Sequence, residues 1–225
     1  MDFSKGERFI MDREKIKKLA FELMSDRASA ISKERGEKYY HGERVALLVI
    51  KLRKYLFPED CEHDDILTVA AWFHDVAAGE NHNAEGAEIA RKVLAEYCTE
   101  YELDEICKII SVHDDRKFEH EYSKYIKLHQ DADQLDHFGV FEVWRSFTYA
   151  ISFDETILDK IEWMTTIRPK ESERYRRELN FDVSKRIFDE KEDFLKEFTK
   201  RFRVECSGGI WKEESFLVKN IGHTE

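Results

Sequence analysis

Residues 64–77 read DDILTVAAWFHDVA. After the two leading aspartates the run is apolar nearly all round, the pattern of a helix buried on every side at the centre of a bundle. His74 and Asp75 stand out against it. At 3.6 residues per turn, His74 shares a face with Ile66, Ala70 and Phe73, and Asp75 shares one with Leu67 and Ala71. An ionised aspartate carried into such an interior is costly unless it is paired, hydrogen-bonded or coordinated to a metal. The adjacent imidazole and carboxylate, about 100° apart on the helix, either satisfy each other in the core or converge on one ion at the helix edge.

Helical periodicity continues in both directions. Residues 12–24 place Ile16, Leu19, Ala20 and Leu23 at the i, i+3, i+4, i+7 spacing. Residues 38–56 put Val45, Leu48, Val49 and Leu52 on one stripe and end at Phe57-Pro58, because the residue before proline disfavours the α region. Further helices are predicted over 84–98, 102–113, 121–138, 140–151, 155–165 and 171–203, the last broken near Asn180. Cys206-Ser207-Gly208-Gly209 stops the pattern, and the tail that follows carries an apolar patch of Ile210, Trp211, Phe216, Leu217 and Val218. With 9 glycines and 2 prolines in 225 residues and no convincing period-2 strand, the expectation is all-α. The predicted form is a compact multi-helix bundle, one domain over 1–205 with a short irregular C-terminal tail at 206–225.

Composition narrows the functional classes. No stretch approaches the ~18 apolar residues of a membrane span, and MDFSKGERFIMDREK lacks the apolar core of a secretory signal, so a cytoplasmic location is expected. Lys and Arg total 37 against 48 Asp and Glu, a net charge of −11 that repels nucleic-acid backbones, and non-specific nucleic-acid binding is not expected. A small phosphorylated substrate remains compatible, since a bound metal can dominate the field inside a cleft. Cys61, Cys98, Cys107 and Cys206 form no C-x-x-C pair and read as reduced packing cysteines.

Two more places need buried polar partners. His41 precedes Val45, Leu48, Val49 and Leu52 by four, seven, eight and eleven residues, which sets its ring at the inner end of an apolar stripe. In HQDADQLDHFG, residues 129–139, three aspartates cluster beside Ala132, Leu135 and Phe138. At least one of Asp131, Asp133 and Asp136 must face inward.

Taken in chain order, His41-Gly42-Glu43-Arg44-Val45, then His74-Asp75, then Asp131-Ala132-Asp133-Gln134-Leu135-Asp136 resemble the H…HD…D signature of the HD-domain metal-dependent phosphohydrolases. His82-Asn83-Ala84-Glu85-Gly86-Ala87 is similar to the histidine-plus-small-residue box that opens the next helix in many relatives. Phe138-Gly139 to Phe147, with Arg145, is similar to the segment after the last aspartate, and a weaker echo runs from Lys160 to Glu205. The similarity spans about residues 25–205, with the HD core at about 25–150.

Residue by residue, the resemblance implies His41, His74, Asp75 and Asp133 as ligands of one divalent ion, with two ions as the variant. This mixed N/O set suits Mn, Fe, Co, Ni or Mg better than a closed structural zinc site. His82 and His113 fall where relatives hold a second metal or reach the phosphate. Arg44, Arg145 and Lys160 become the phosphate-binding cations. The implied activity is that of a phosphomonoesterase, phosphodiesterase or pyrophosphohydrolase acting on a nucleotide or another small phosphorylated metabolite. A metal-activated water would attack the ester or anhydride, with Asp75 as the catalytic carboxylate.

Several HD families carry a glutamate where this chain has Ala78, and the nearest acid is Glu80, so no separate general acid or base is named. Asp131 is the nearest rival to Asp133 and His129 a weaker one, while His63, His120, His137 and His223 read as surface residues. The alternatives are an HD-scaffold regulatory or binding protein without turnover, and a di-iron oxygenase on the same scaffold. The patch around Trp211 would cover the pocket or pack against a second subunit in a homodimer.

Overall fold

The computed structural model describes residues 11–29, 33–116 and 121–216. Among them the chain is built from helices, and the only strand-like pairing is an isolated bridge between Ala28 and Arg35. The elements are α1 (Arg13–Met24), α2 (Glu37–Leu56), α3 (Asp64–Phe73), α4 (His82–Leu94), α5 (Glu100–Ser111), α6 (Lys124–Asp136), α7 (Val140–Ser152) and α8 (Ile157–Glu162). A π-helical turn (Trp163–Ile167) leads into α9 (Arg168–Glu178), followed by α10 (Asp182–Cys206). No helix among the described residues is long and apolar enough to cross a membrane.

The apolar run becomes the centre of the bundle, with every residue of α3 from Ile66 to Phe73 buried. α2 and α5 pack along it, and α6 lies across α2. Gly42 permits the close approach of α2 to α3, since a Cβ there would sit 2.7 Å from the Ala71 carbonyl oxygen. This closeness brings His41 beside His74.

Helix ends depart from the periodicity where local hydrogen bonds intervene. α3 stops at Phe73 rather than 77. The His74 ring takes the Ala71 carbonyl and the Val76 N–H bonds back to Phe73, tightening the last turn so that His74 and Asp75 lie just beyond the helix. α5 begins at Glu100 rather than 102, because Thr99 and Glu102 form a reciprocal capping box. α6 begins at Lys124 rather than 121, with Ser123 as its cap. The predicted break between 165 and 171 is instead bridged by the π turn into α9, where Pro169 is tolerated because it sits in the first turn.

The break near Asn180 is present. There the backbone N–H groups of Asn180 and Phe181 donate to the Asp131 carboxylate. In the tail, Trp211 borders a groove with Phe194, Phe198 and Phe202 of α10 rather than the cavity described below. Leu217, Val218, His120 and His223 lie outside the described residues.

Candidate metal centre

Three segments bring the four expected ligands together. His74 Nε2 lies 3.7 Å from both Asp75 Oδ2 and Asp133 Oδ1. His41 Nε2 lies 3.0 Å from Asp133 Oδ1 and 4.0 Å from Asp75 Oδ2. All four side chains are buried. The fit to a cation rests on His74. Its Nδ1–H donates to the Ala71 carbonyl at 2.8 Å, so Nε2 carries a lone pair, and that atom is buried without a hydrogen-bond partner among the described residues. Burial holds the His74 pKa down at about 4, which keeps the ring neutral, as a ligand must be. Burial opposes ionisation of Asp75, but the charged Lys38, which donates to it at 2.6 Å, and the charged His41 hold it well below the usual carboxylate range.

Asp136 and Arg44 fix the orientation of His41. Asp136 Oδ2 meets His41 Nδ1 at 2.8 Å and accepts from Arg44 Nη2 at 2.8 Å. Although burial opposes it, hydrogen bonds to Asp133 and Asp136 raise the His41 pKa to about 9 in the absence of an ion. Arg44 also lies over the Phe141 ring at 4.0 Å. Nε and Nη2 of its guanidinium are thus engaged by Asp136, and Arg44 lines a separate groove with Phe141 and Lys191.

His82 and His113 meet on the other side of Asp75, and ligand atoms of the three lie within 4.8 Å of one another. Both histidines repeat the His74 arrangement, with Nδ1 donating to the carbonyls of Gly79 and Ile110 at 3.1 and 2.8 Å. Each therefore turns a lone pair on Nε2 away from its own backbone. Lys38, one helical turn before His41, reaches Asp75 Oδ2 at 2.6 Å. Its role is not legible from motif spacing, only from the i, i+3 relation to His41.

Beside Asp133 opens a cavity of about 550 Å³, lined among others by Arg116, His137, Arg145, Tyr149, Lys160 and Trp163. Two of the three expected phosphate binders face it. Arg145 donates to His137 Nδ1 and to the Tyr149 hydroxyl, and Lys160 pairs with Glu155 at 2.8 Å above the Trp163 ring. Arg116, which sequence reading passed over, holds Asp133 Oδ2 at 3.2 Å. It lies in the loop after α5, where no periodicity marks it.

His137 is not the surface residue expected. It stacks on the His41 ring, with centroids 4.7 Å apart, and its Nε2 is 3.6 Å from Asp133 Oδ1. The signal was its i, i+4 spacing from Asp133 on the last turn of α6. His63 is half-buried, stacked on Tyr125. Asp131 turns away to the start of α10, and His129 is buried behind His74 with neither ring nitrogen hydrogen-bonded among the described residues.

No protein-family model matches the chain, and no curated protein does. Solved structures do match. An HD-superfamily hydrolase from Bacillus thuringiensis superposes with a TM-score of 0.66 at 22% identity, covering 86% of this chain and 96% of its own. A predicted HD superfamily hydrolase from an uncultured Thermotogales bacterium gives 0.60 at 21%, over 92% and 99%. Bacillus subtilis YpgQ, solved in complex with ADP, gives 0.61 at 17%, over 85% and 93%. The chain therefore has the HD-domain fold.

Proposed function

We propose that the chain is a metal-dependent phosphohydrolase, cleaving a phosphate ester or anhydride of a nucleotide or another small phosphorylated metabolite. One observation carries this reading. Two imidazoles and two carboxylates from three segments face one another, each imidazole Nε2 within 3.0–4.0 Å of both carboxylates, and the buried Nε2 of His74 has no hydrogen-bond partner among the described residues. A divalent ion held there by His41, His74, Asp75 and Asp133 would supply Lewis acidity, lowering the pKa of a water and polarising a phosphoryl oxygen.

The protein's own residues do the rest. Asp75 and Asp133 present carboxylates to the reacting centre, Asp136 holds His41 in register, and Arg116 and Arg145 put guanidinium groups at the cavity wall. Asp75, His82 and His113 form the set that would hold a second ion. A cavity of about 550 Å³ is the size of a small-molecule site, and the ADP bound by the Bacillus subtilis neighbour makes nucleotides the first class to try.

The test is release of phosphate or pyrophosphate from a panel of nucleotides and sugar phosphates, with Mn, Fe, Co, Ni or Mg added in turn. The expected result is turnover by the wild-type chain, lost in His41→Ala and Asp75→Ala while the helical circular-dichroism signal persists. Metal uptake without turnover of any phosphorylated compound would contradict the hydrolase reading.

A further inference from the structure

The histidines around the centre differ in which ring nitrogen carries the proton. His74, His82 and His113 donate Nδ1–H to backbone carbonyls, which can only accept, so each keeps a lone pair on Nε2. His41 sets Nδ1 against a carboxylate, with the same consequence once an ion replaces the proton on its other nitrogen. His137 is reversed. Its Nδ1 faces Nη1 of Arg145, and a guanidinium has five N–H groups, no lone pair, and does not deprotonate. Nδ1 of His137 must therefore accept, and a neutral ring accepting at Nδ1 carries its hydrogen on Nε2.

That hydrogen points into the centre. His137 Nε2 is 3.6 Å from Asp133 Oδ1, and the side chain remains 36% exposed where it lines the cavity. By distance alone His137 belongs with His41 and Asp133 as a third ion ligand. Its tautomer says otherwise, because an N–H cannot coordinate a cation.

We propose that His137 is a catalytic residue of another kind, a neutral hydrogen-bond donor to a phosphoryl oxygen of the substrate. Arg145 is the positioning residue that fixes its tautomer. The inference rests on the phosphohydrolase reading. No proton is transferred. The Nε2–H faces the centre beside Asp133 Oδ1 at the cavity wall, where a bound phosphoryl oxygen would accept it, the kind of preorganised donor that stabilises a transition state. Stacking on His41 and the bond from Arg145 hold the ring in place before substrate arrives.

The experiment uses Mn²⁺ content and the binding of inorganic phosphate to the Mn²⁺-loaded chain, for wild type, His137→Ala and His137→Gln. Imidazole ¹H–¹⁵N correlation spectra of the metal-free wild type and Arg145→Met add the tautomer. The expected result is unchanged metal content in His137→Ala with phosphate affinity down about tenfold, the size of a lost bond to a charged oxygen. His137→Gln, which keeps an N–H in the same place, should recover most of it. The spectra should show Nε2–H in the wild type and a tautomer mixture in Arg145→Met. Loss of the ion in His137→Ala, unchanged phosphate affinity, or an Nδ1–H tautomer in the wild type would each overturn the proposal. A wild-type chain that takes up neither Mn²⁺ nor phosphate defeats the hydrolase reading, and this inference falls with it.

Discussion

Asp136 Oδ2 lies 2.8 Å from His41 Nδ1, and the same carboxylate is gripped by Arg44 through Nε and Nη2. A carboxylate behind a ligating imidazole fixes the ring's tautomer and direction and raises its basicity. Asp136→Asn should therefore lower divalent-metal affinity by about 10- to 100-fold while the fold persists. Arg44→Ala should act in the same direction but less. A competitive titration with a coloured chelator measures both, and unchanged affinity in Asp136→Asn would show that His41 needs no such support.

Gly42 sets the distance between two segments that carry proposed metal ligands. An added Cβ would meet the Ala71 carbonyl oxygen at 2.7 Å, the oxygen that also accepts from His74 Nδ1. Gly42→Ala should push α2 away from α3, costing about 1–3 kcal/mol of stability as an overpacked core does. It should also weaken metal binding, although residue 42 touches no ion. Denaturant unfolding and metal titration on the same sample test the two effects together.

Asp131 and Asp133, two residues apart, should separate cleanly. Asp131 accepts from the Asn180 backbone at 2.8 Å, the Asn180 side chain at 2.9 Å and the Phe181 backbone at 3.0 Å. Asp131→Ala strands those donors at the start of α10 and should cost about 1–3 kcal/mol, leaving metal content intact. Asp133→Ala should abolish metal uptake. The opposite assignment of the two losses would move the ligand to Asp131.

The cysteines give a test of the packing that does not involve the centre. Burial pushes the Cys98 thiol up to about 12 and raises Cys107 as well, whereas Cys61 and Cys206 are exposed. A raised pKa means less thiolate at any pH below it, and thiolate is the reactive form. At pH 8 a thiol reagent should modify Cys61 and Cys206 quickly and Cys98 and Cys107 only after unfolding. Mass spectrometry of a labelling time course reads this directly.

The sequence was most informative where burial made polar groups conspicuous. His74 and Asp75 in an apolar run, and His41 at the head of an apolar stripe, announce a shared interior partner because lone buried polar groups are costly. Helix ends were less legible, since they depend on short-range bonds such as the Ala71–His74 contact that periodicity does not encode. Lys38, Arg116 and His137 were missed for a related reason. Their chemistry depends on which neighbour they face, and only packing of α2, α5 and α6 decides that. Arg44 shows the converse, a cation expected at the phosphate whose Nε and Nη2 pair with Asp136 and which lines a groove other than the cavity.

The most direct test of the account is equilibrium metal content, measured by elemental analysis after dialysis against Mn²⁺, for wild type, His41→Ala and Asp75→Ala, with circular dichroism on each sample. The account predicts at least one bound ion in the wild type, none at the four-residue set in either variant, and the same helical spectrum in all three. Full metal content in the folded variants would contradict it.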